Sequence, residues 1–341
     1  MIENYKQFIK KRLYIGLILT IILSISILIS LNTGSIKMDL KQIINLTFHL
    51  KEDQVLKYIL INIRLPRIFN AILAGAALSI SGAILQNLLK NPLASPFTLG
   101  ISHGAVFGAA VAITLKSYIP FANSSYTIII FAFIFAIITM SIILLITAIK
   151  GLYAYVVILA GVALNSLFAS LTMLLQYFST DEEVAAIVFW TFGDLNKTIW
   201  NDIYLMSLII IPIILYQILT SPKYNITIWD DETATSLGIN IKLIKATGII
   251  SACLITATVI SFMGVIGFIG LISPHIIRLV IGNDHRFLLL YSAMLGSIIL
   301  LLSDTIGRIV LAPATIPVGI ITSLLGVPIF LYILLKNRGS A

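Results

Sequence analysis

Charged residues interrupt this chain at intervals that suit a bilayer better than a soluble core. Stretches free of Asp, Glu, Lys and Arg cover residues 13–36, 68–89, 91–115, 117–149, 151–180 and 203–222. Each can hold the roughly 20 apolar residues that span the hydrocarbon layer as a helix. A further stretch, residues 246–277, would be about 48 Å long as one straight helix, more than a bilayer needs. Gly264, Gly267, Gly270 and Pro274 are expected to divide it into two helices. Another is predicted over 287 to about 307, and a last over about 317 to 335. The expectation is an all-α integral membrane protein of about ten transmembrane helices, forming a single transmembrane domain across residues 1–341.

An even number of crossings puts both termini on one side. The basic clusters at Lys6 to Arg12 and at Lys336 and Arg338 place that side in the cytoplasm. The chain is therefore predicted to be a multi-pass protein of the cell membrane with both termini cytoplasmic. The first apolar stretch is too long for a signal-peptide core and has no small-residue cleavage site, so it is expected to remain as the first helix. Six of the nine Lys and Arg residues predicted on the outer side fall within residues 36–67. That external loop, over 33–67, asks for an explanation beyond topology. A second external or interfacial element is predicted at about 181–193, where Asp181, Glu182 and Glu183 are good helix-start residues before an apolar run. The most polar cytoplasmic loop is expected over about 223–242.

Composition sharpens the picture. Apolar residues make up 59% of the 341 positions and charged residues 11%, against about half and a quarter in soluble domains. No separate soluble domain fits. The single cysteine, Cys253, lies in an apolar run and excludes an internal disulfide. The net charge of +8 is scattered between apolar runs as membrane-flanking anchors, so nucleic acid is not an expected partner. The chain has no phosphate-cradling G-x-x-x-x-G-K-[ST] loop, so any ATP must be hydrolysed by another chain.

Where the apolar pattern breaks, candidate functional residues appear. Asn91, Pro92 and Pro96 read as irregular backbone at membrane depth, tolerated only where protein or a water-filled path surrounds it. Gly100, Gly104 and Gly108 follow at four-residue spacing and allow close helix packing. Arg64 and Arg67, in RLPR, are read at the outer start of the second helix, with Pro66 in its first turn. Cations there oppose the helix dipole by a few tenths to about 1 kcal/mol, so another contact should favour them. Gly151 marks a turn between two long helices. Asn165 and Gln176 could line a pathway or bridge helices.

The segments KNPLASPFTLGIS and GVIGFIGLISPHIIRLVIGNDHR, with Asp304 to Arg308 and IPVGIITSLLGVPIFLYILLK, resemble the permease family of ABC importers for iron siderophores, haem and cobalamin. The resemblance spans about Arg64 to the C-terminus. It implies type II ABC importer permease architecture: a homodimer with the substrate path between subunits, fed by an extracytoplasmic substrate-binding protein. Two cytoplasmic ATP-binding subunits would carry ATP and magnesium, with no cofactor on this chain. It further implies that Arg64, Arg67 and Arg308 meet acidic residues of the binding protein, although Arg308 could instead pair with Asp304. The cytoplasmic loop resembles a coupling helix of the E-x-A-x-x-L-G type that docks the ATPase, through Asp230, Asp231, Glu232, Ala234, Leu237 and Gly238. The family places its inner gate near Gly151.

A metal chelate is the implied substrate, ferric siderophore ahead of haem or cobalamin. The four histidines are too dispersed for a metal site, which normally takes three or four ligands. No residue is expected to be catalytic. An ion-coupled secondary transporter is the rival from another class, but it needs buried carboxylates or arginines, and Asp304 is essentially the one candidate.

Overall fold

A computed structural model describes residues 2–34, 36, 38–39, 42–43, 46, 53–116, 125–151, 153–197, 199–227, 236 and 240–336. Among them there are helices and no strands. The order is α1 Ile2–Asn32, α2 Gln54–Tyr58, α3 Leu65–Leu88, α4 Ile101–Leu115, α5 Ser125–Lys150 and α6 Ala154–Phe178. It continues with α7 Asp181–Thr191, α8 Trp200–Ile226, α9 Ile241–Met263, α10 Ile269–Ile281, α11 His285–Ile309 and α12 Val318–Lys336.

Among the described residues, seven helical runs are long and apolar enough to cross a membrane, and three shorter apolar ones lie at Ile101–Leu115, Ile269–Ile281 and Val318–Tyr332. At 1.5 Å per residue, the 15 residues of α4 reach about 22 Å and the 13 of α10 about 20 Å, short of a hydrocarbon layer of about 30 Å. A non-helical leg precedes each short helix: residues 89–100, 264–268 and 310–317. The break expected within 246–277 falls at Gly264 to Phe268. Gly270 and Pro274 lie inside α10 instead.

The second crossing differs from expectation. Helix continues from Gln54 through α2, a π-helical turn at Ile59–Arg64 and α3, 35 residues in all. Arg64 and Arg67 therefore sit inside a helical run, not at its start. A proline inside a helix lacks one donor and crowds the turn before it. Here the π turn widens the backbone just ahead of Pro66, and Leu65 N–H donates to Leu60 O five residues back. The dipole argument drawn from a helix start does not apply at these arginines.

α3 is the hub, with α11, α9, α10 and α8 packed around it and 78% of its apolar window buried, against 17% for α1. Small residues permit this crowding, as expected where packing replaces the hydrophobic effect. A Cβ on Gly82 would lie 1.6 Å from Gly270 O, and one on Gly75 2.5 Å from Gly296 O. Pro274 cannot donate to Gly270 O, four residues back, and that carbonyl is the one pressed against Gly82. Gly104 and Gly108 bring α4 onto Thr139 and Phe131 of α5, fulfilling the spacing read from sequence. The short helix expected at about 181–193 is α7, opened by a capping box in which Thr180 N–H donates to Glu183 Oε2 at 3.0 Å and Glu183 N–H to Thr180 Oγ1 at 3.4 Å.

Candidate functional site: a cavity at the helix breaks

The first two irregular legs converge. Leu93, Ser95, Phe97 and Thr98 of the first leg, Val265, Gly267 and Phe268 of the second, and Gly319, Ile320, Ser323 and Leu324 of α12 line one cavity of about 640 Å³. Thr191 and Phe192 close it from the end of α7. Helix ends would leave backbone groups unsatisfied in lipid, so broken helices belong where protein or a cavity surrounds them. The first leg is held by its own bonds: Leu93 N–H to Asn91 Oδ1 at 2.9 Å, and Thr98 Oγ1–H to Ser95 O at 2.7 Å. Gly264 adopts φ +77°, and the residue there must be glycine because a Cβ would lie 2.3 Å from Trp190 O. Among the described residues the lining is aromatic and aliphatic with scattered hydroxyls and no charged side chain. Such a surface offers a bulky solute contact without strong retention.

None of the six expected pathway or gate residues lines this cavity. Asn91 and Pro92 border a second cavity of about 340 Å³ with Gln86, Asn87, Lys90, Arg278, Asn283 and His285. Pro96 borders a void of about 20 Å³ against α3, α9 and α10. Asn165 and Gln176 are half-buried on α6, outside the lining of the large cavity. Gly151 makes the α5–α6 turn at φ +89°. The coupling-loop residues Asp230, Asp231, Glu232, Ala234, Leu237 and Gly238 lie outside the described residues.

The three arginines expected to face a binding protein are brought together, but turned inward. Arg64 and Arg67 are 4% and 6% exposed, and the Arg308 side chain 8%. Arg67 Nε donates to both oxygens of Asp304, at 2.7 and 3.0 Å, and its Nη1 to Asn196 Oδ1 at 2.7 Å. Arg308 pairs with Asp304 at 3.2 Å and donates to Thr33 O at 2.9 Å and Ser30 Oγ at 2.6 Å. Arg64 donates to the carbonyls of Leu31 and Ile36. The favourable contact the sequence asked for is thus internal: one carboxylate and the residues at and just after the end of α1.

Sequence reasoning missed a second polar knot, at the opposite ends of these helices. Arg12 donates to Asp284 Oδ2 at 2.6 Å and to Ile281 O at 2.9 Å, and lies over the Phe287 ring. Asn225 and Arg286 also donate to Asp284. Burial pushes the Asp284 carboxyl up, but hydrogen bonds from Arg286, Asn225 and Arg12 outweigh it and hold it below the usual carboxylate range. The signal was the polar cluster Asn283 to Arg286 breaking an apolar run.

Broken apolar helices around a weakly polar cavity, on a fold with seven long apolar runs, define a multi-pass membrane permease. Residues 22–336 match the FecCD transport family, and the chain belongs to that family. It is 46% identical over 341 residues to a Methanocaldococcus jannaschii protein provisionally named an ABC transporter permease, covering 98% of this chain and 97% of that one. It is 35% identical over 330 residues to the hemin transport system permease protein HmuU of Yersinia pestis, covering 97% of each. A solved inward-facing structure of a provisionally assigned metal-chelate type ABC transporter superposes with a TM-score of 0.82 at 32% identity, covering 93% of this chain and 97% of that one. The chain is an ABC importer permease of the cell membrane, from a family whose members work with ATP-binding and substrate-binding partners.

Proposed function

We propose that this permease carries a metal chelate, with ferric siderophore as the leading substrate and haem or cobalamin as the alternatives. The observation that carries this reading is the cavity of about 640 Å³ at the helix breaks, whose uncharged aromatic and aliphatic lining suits a bulky, partly apolar solute. A chelate hides the metal charge behind its ligand, so the wall needs no ion-binding carboxylate. The hemin permease HmuU and the metal-chelate transporter among the similar proteins support the same class.

The working unit is two copies of this chain with two ATP-binding subunits, which hold ATP and magnesium. The termini and the Lys90 end of the bundle face the cytoplasm, following the distribution of Lys and Arg. The loop carrying Asp230, Asp231, Glu232, Ala234, Leu237 and Gly238 receives the ATPase. An extracytoplasmic binding protein docks at the Asp304 end. For Arg64, Arg67 and Arg308 to touch it, their bonds to Asp304 and to backbone carbonyls must be exchanged for partner carboxylates.

Copurification of the full chain with its cognate binding protein, followed by thermal unfolding of that protein with candidate chelates, tests the substrate. A ferric siderophore should raise its Tm by mass action. Protection by free amino acids or sugars alone overturns the reading.

A further inference from the structure

We propose that the cavity of about 340 Å³ at the Lys90 end is a binding site for a phosphate-bearing anion, either free phosphate or a lipid headgroup of the adjoining leaflet. That leaflet is the inner one if the sidedness proposed above holds; the site itself does not depend on it.

Arg278 carries the argument. Arg12, Arg67 and Arg308 each have a carboxylate partner. The half-buried Arg278 has none among the described residues, and donates instead from Nη1 to the neutral Gln86 Oε1 at 2.9 Å. A cation withdrawn from water without a counter-ion is costly unless something anionic completes it. The cavity it borders has a second cation, Lys90, and the amides of Asn91 and Asn283, with no carboxylate among the described residues of its lining. Arginine with lysine and amide donors is a setting that suits phosphate.

His285 is a second, independent observation. It is 1% exposed, and its backbone N–H and ring Nδ1 both lie on Asn225 Oδ1, at 2.8 and 3.1 Å. Those contacts assign the proton to Nδ1 and leave Nε2 as a bare acceptor, and Nε2 has no partner among the described residues. His285 is part of the cavity wall, so an acceptor without a partner among the described residues lies in that wall. Lys90 adds a third: φ is +46°, a conformation rare for a residue with a side chain and often kept for function. The backbone around it is pinned by Lys90 N–H to Asn87 O at 3.1 Å and Asn91 N–H to Gln86 O at 3.0 Å.

The test uses the purified full chain and two probes. Thermal unfolding is followed in detergent against inorganic phosphate, with chloride at matched ionic strength as reference. It is followed again in vesicles of phosphatidylcholine with or without phosphatidylglycerol. At least one probe should raise the Tm saturably. Arg278→Gln and the exposed Lys90→Gln should each raise the half-saturating concentration about tenfold, as expected from losing a charged hydrogen bond. Lys150→Gln, outside the cavity, should leave it unchanged. A response to phosphate alone identifies a soluble anion; a response to phosphatidylglycerol alone identifies the headgroup. If Arg278→Gln fails to fold, Lys90→Gln carries the comparison. No stabilisation by either probe, or the same half-saturation in wild type and Lys90→Gln, overturns the proposal.

Discussion

The two ends of the helix bundle handle withdrawn positive charge differently. At the Asp304 end, Arg67 and Arg308 close on one fully buried carboxylate, and Arg64 on the carbonyls of Leu31, in α1, and Ile36, just beyond it. At the other end, Arg12 and Arg286 share Asp284, which remains partly in contact with solvent, while Arg278 has only an amide among the described residues. The first end is a closed knot that joins α1, α3 and α11. The second is an open one that borders a cavity. A closed knot is sensitive to loss of any member, because what remains is an uncompensated buried charge.

That difference can be broken in graded steps. Asp304→Ala should have the largest effect, a loss of about 3–5 kcal/mol, because it strands two buried guanidiniums. Chemical unfolding in detergent would measure it, and a loss below about 1 kcal/mol would mean that the knot is slack. Gly82→Ala comes next: its new Cβ would meet Gly270 O at 1.6 Å, and overpacking of this kind costs about 1–3 kcal/mol. The same unfolding assay reads it, and an unchanged midpoint would show that α3 and α10 can separate freely.

The Asp284 knot should announce itself through pH. Its carboxyl is held below the ordinary value, so the folded state binds fewer protons than the unfolded one. Its stabilisation is complete above the unfolded carboxylate pKa of about 3.9 and fades as pH falls through the folded value. The Tm difference between wild type and Asp284→Asn should therefore be constant near neutrality and narrow below about pH 4. A gap independent of acid would contradict the assignment. Arg286→Ala should have the smallest effect, below about 1 kcal/mol, because its side chain is 50% exposed and its pair with Asp284 is screened by water.

The long crossings were legible in the sequence because lipid imposes one simple requirement on each, a charge-free run of sufficient length. The short helices were harder to read. The stretch beginning at Asn91 was expected to hold one crossing entered through irregular backbone at Asn91 to Pro96, and the irregular leg runs on to Gly100, which the prolines did not announce. RLPR read as a helix start because proline favours that position. The π turn that lets the helix run on depends on the backbone of residues 59–64, which no side-chain pattern announces. The arginines were recognised as residues needing a partner, but the partner, Asp304, lies 237 positions away from Arg67. Pairing across such a distance is a property of the packed fold. The Lys90 cavity was invisible for the same reason, since its lining comes from the end of α3, the leg after it, α10 and the start of α11.

Asp304 also bears on the rival mechanism. An ion-coupled carrier needs a carboxylate free to exchange its partner during transport, and this one is clamped by two arginines. The most direct measurement is uptake of a ferric siderophore into proteoliposomes containing the full chain, with and without its ATP-binding subunits and binding protein. The account predicts uptake only when the partners and ATP are present, and none on a proton or sodium gradient alone. Gradient-driven uptake by this chain without an ATPase would contradict it.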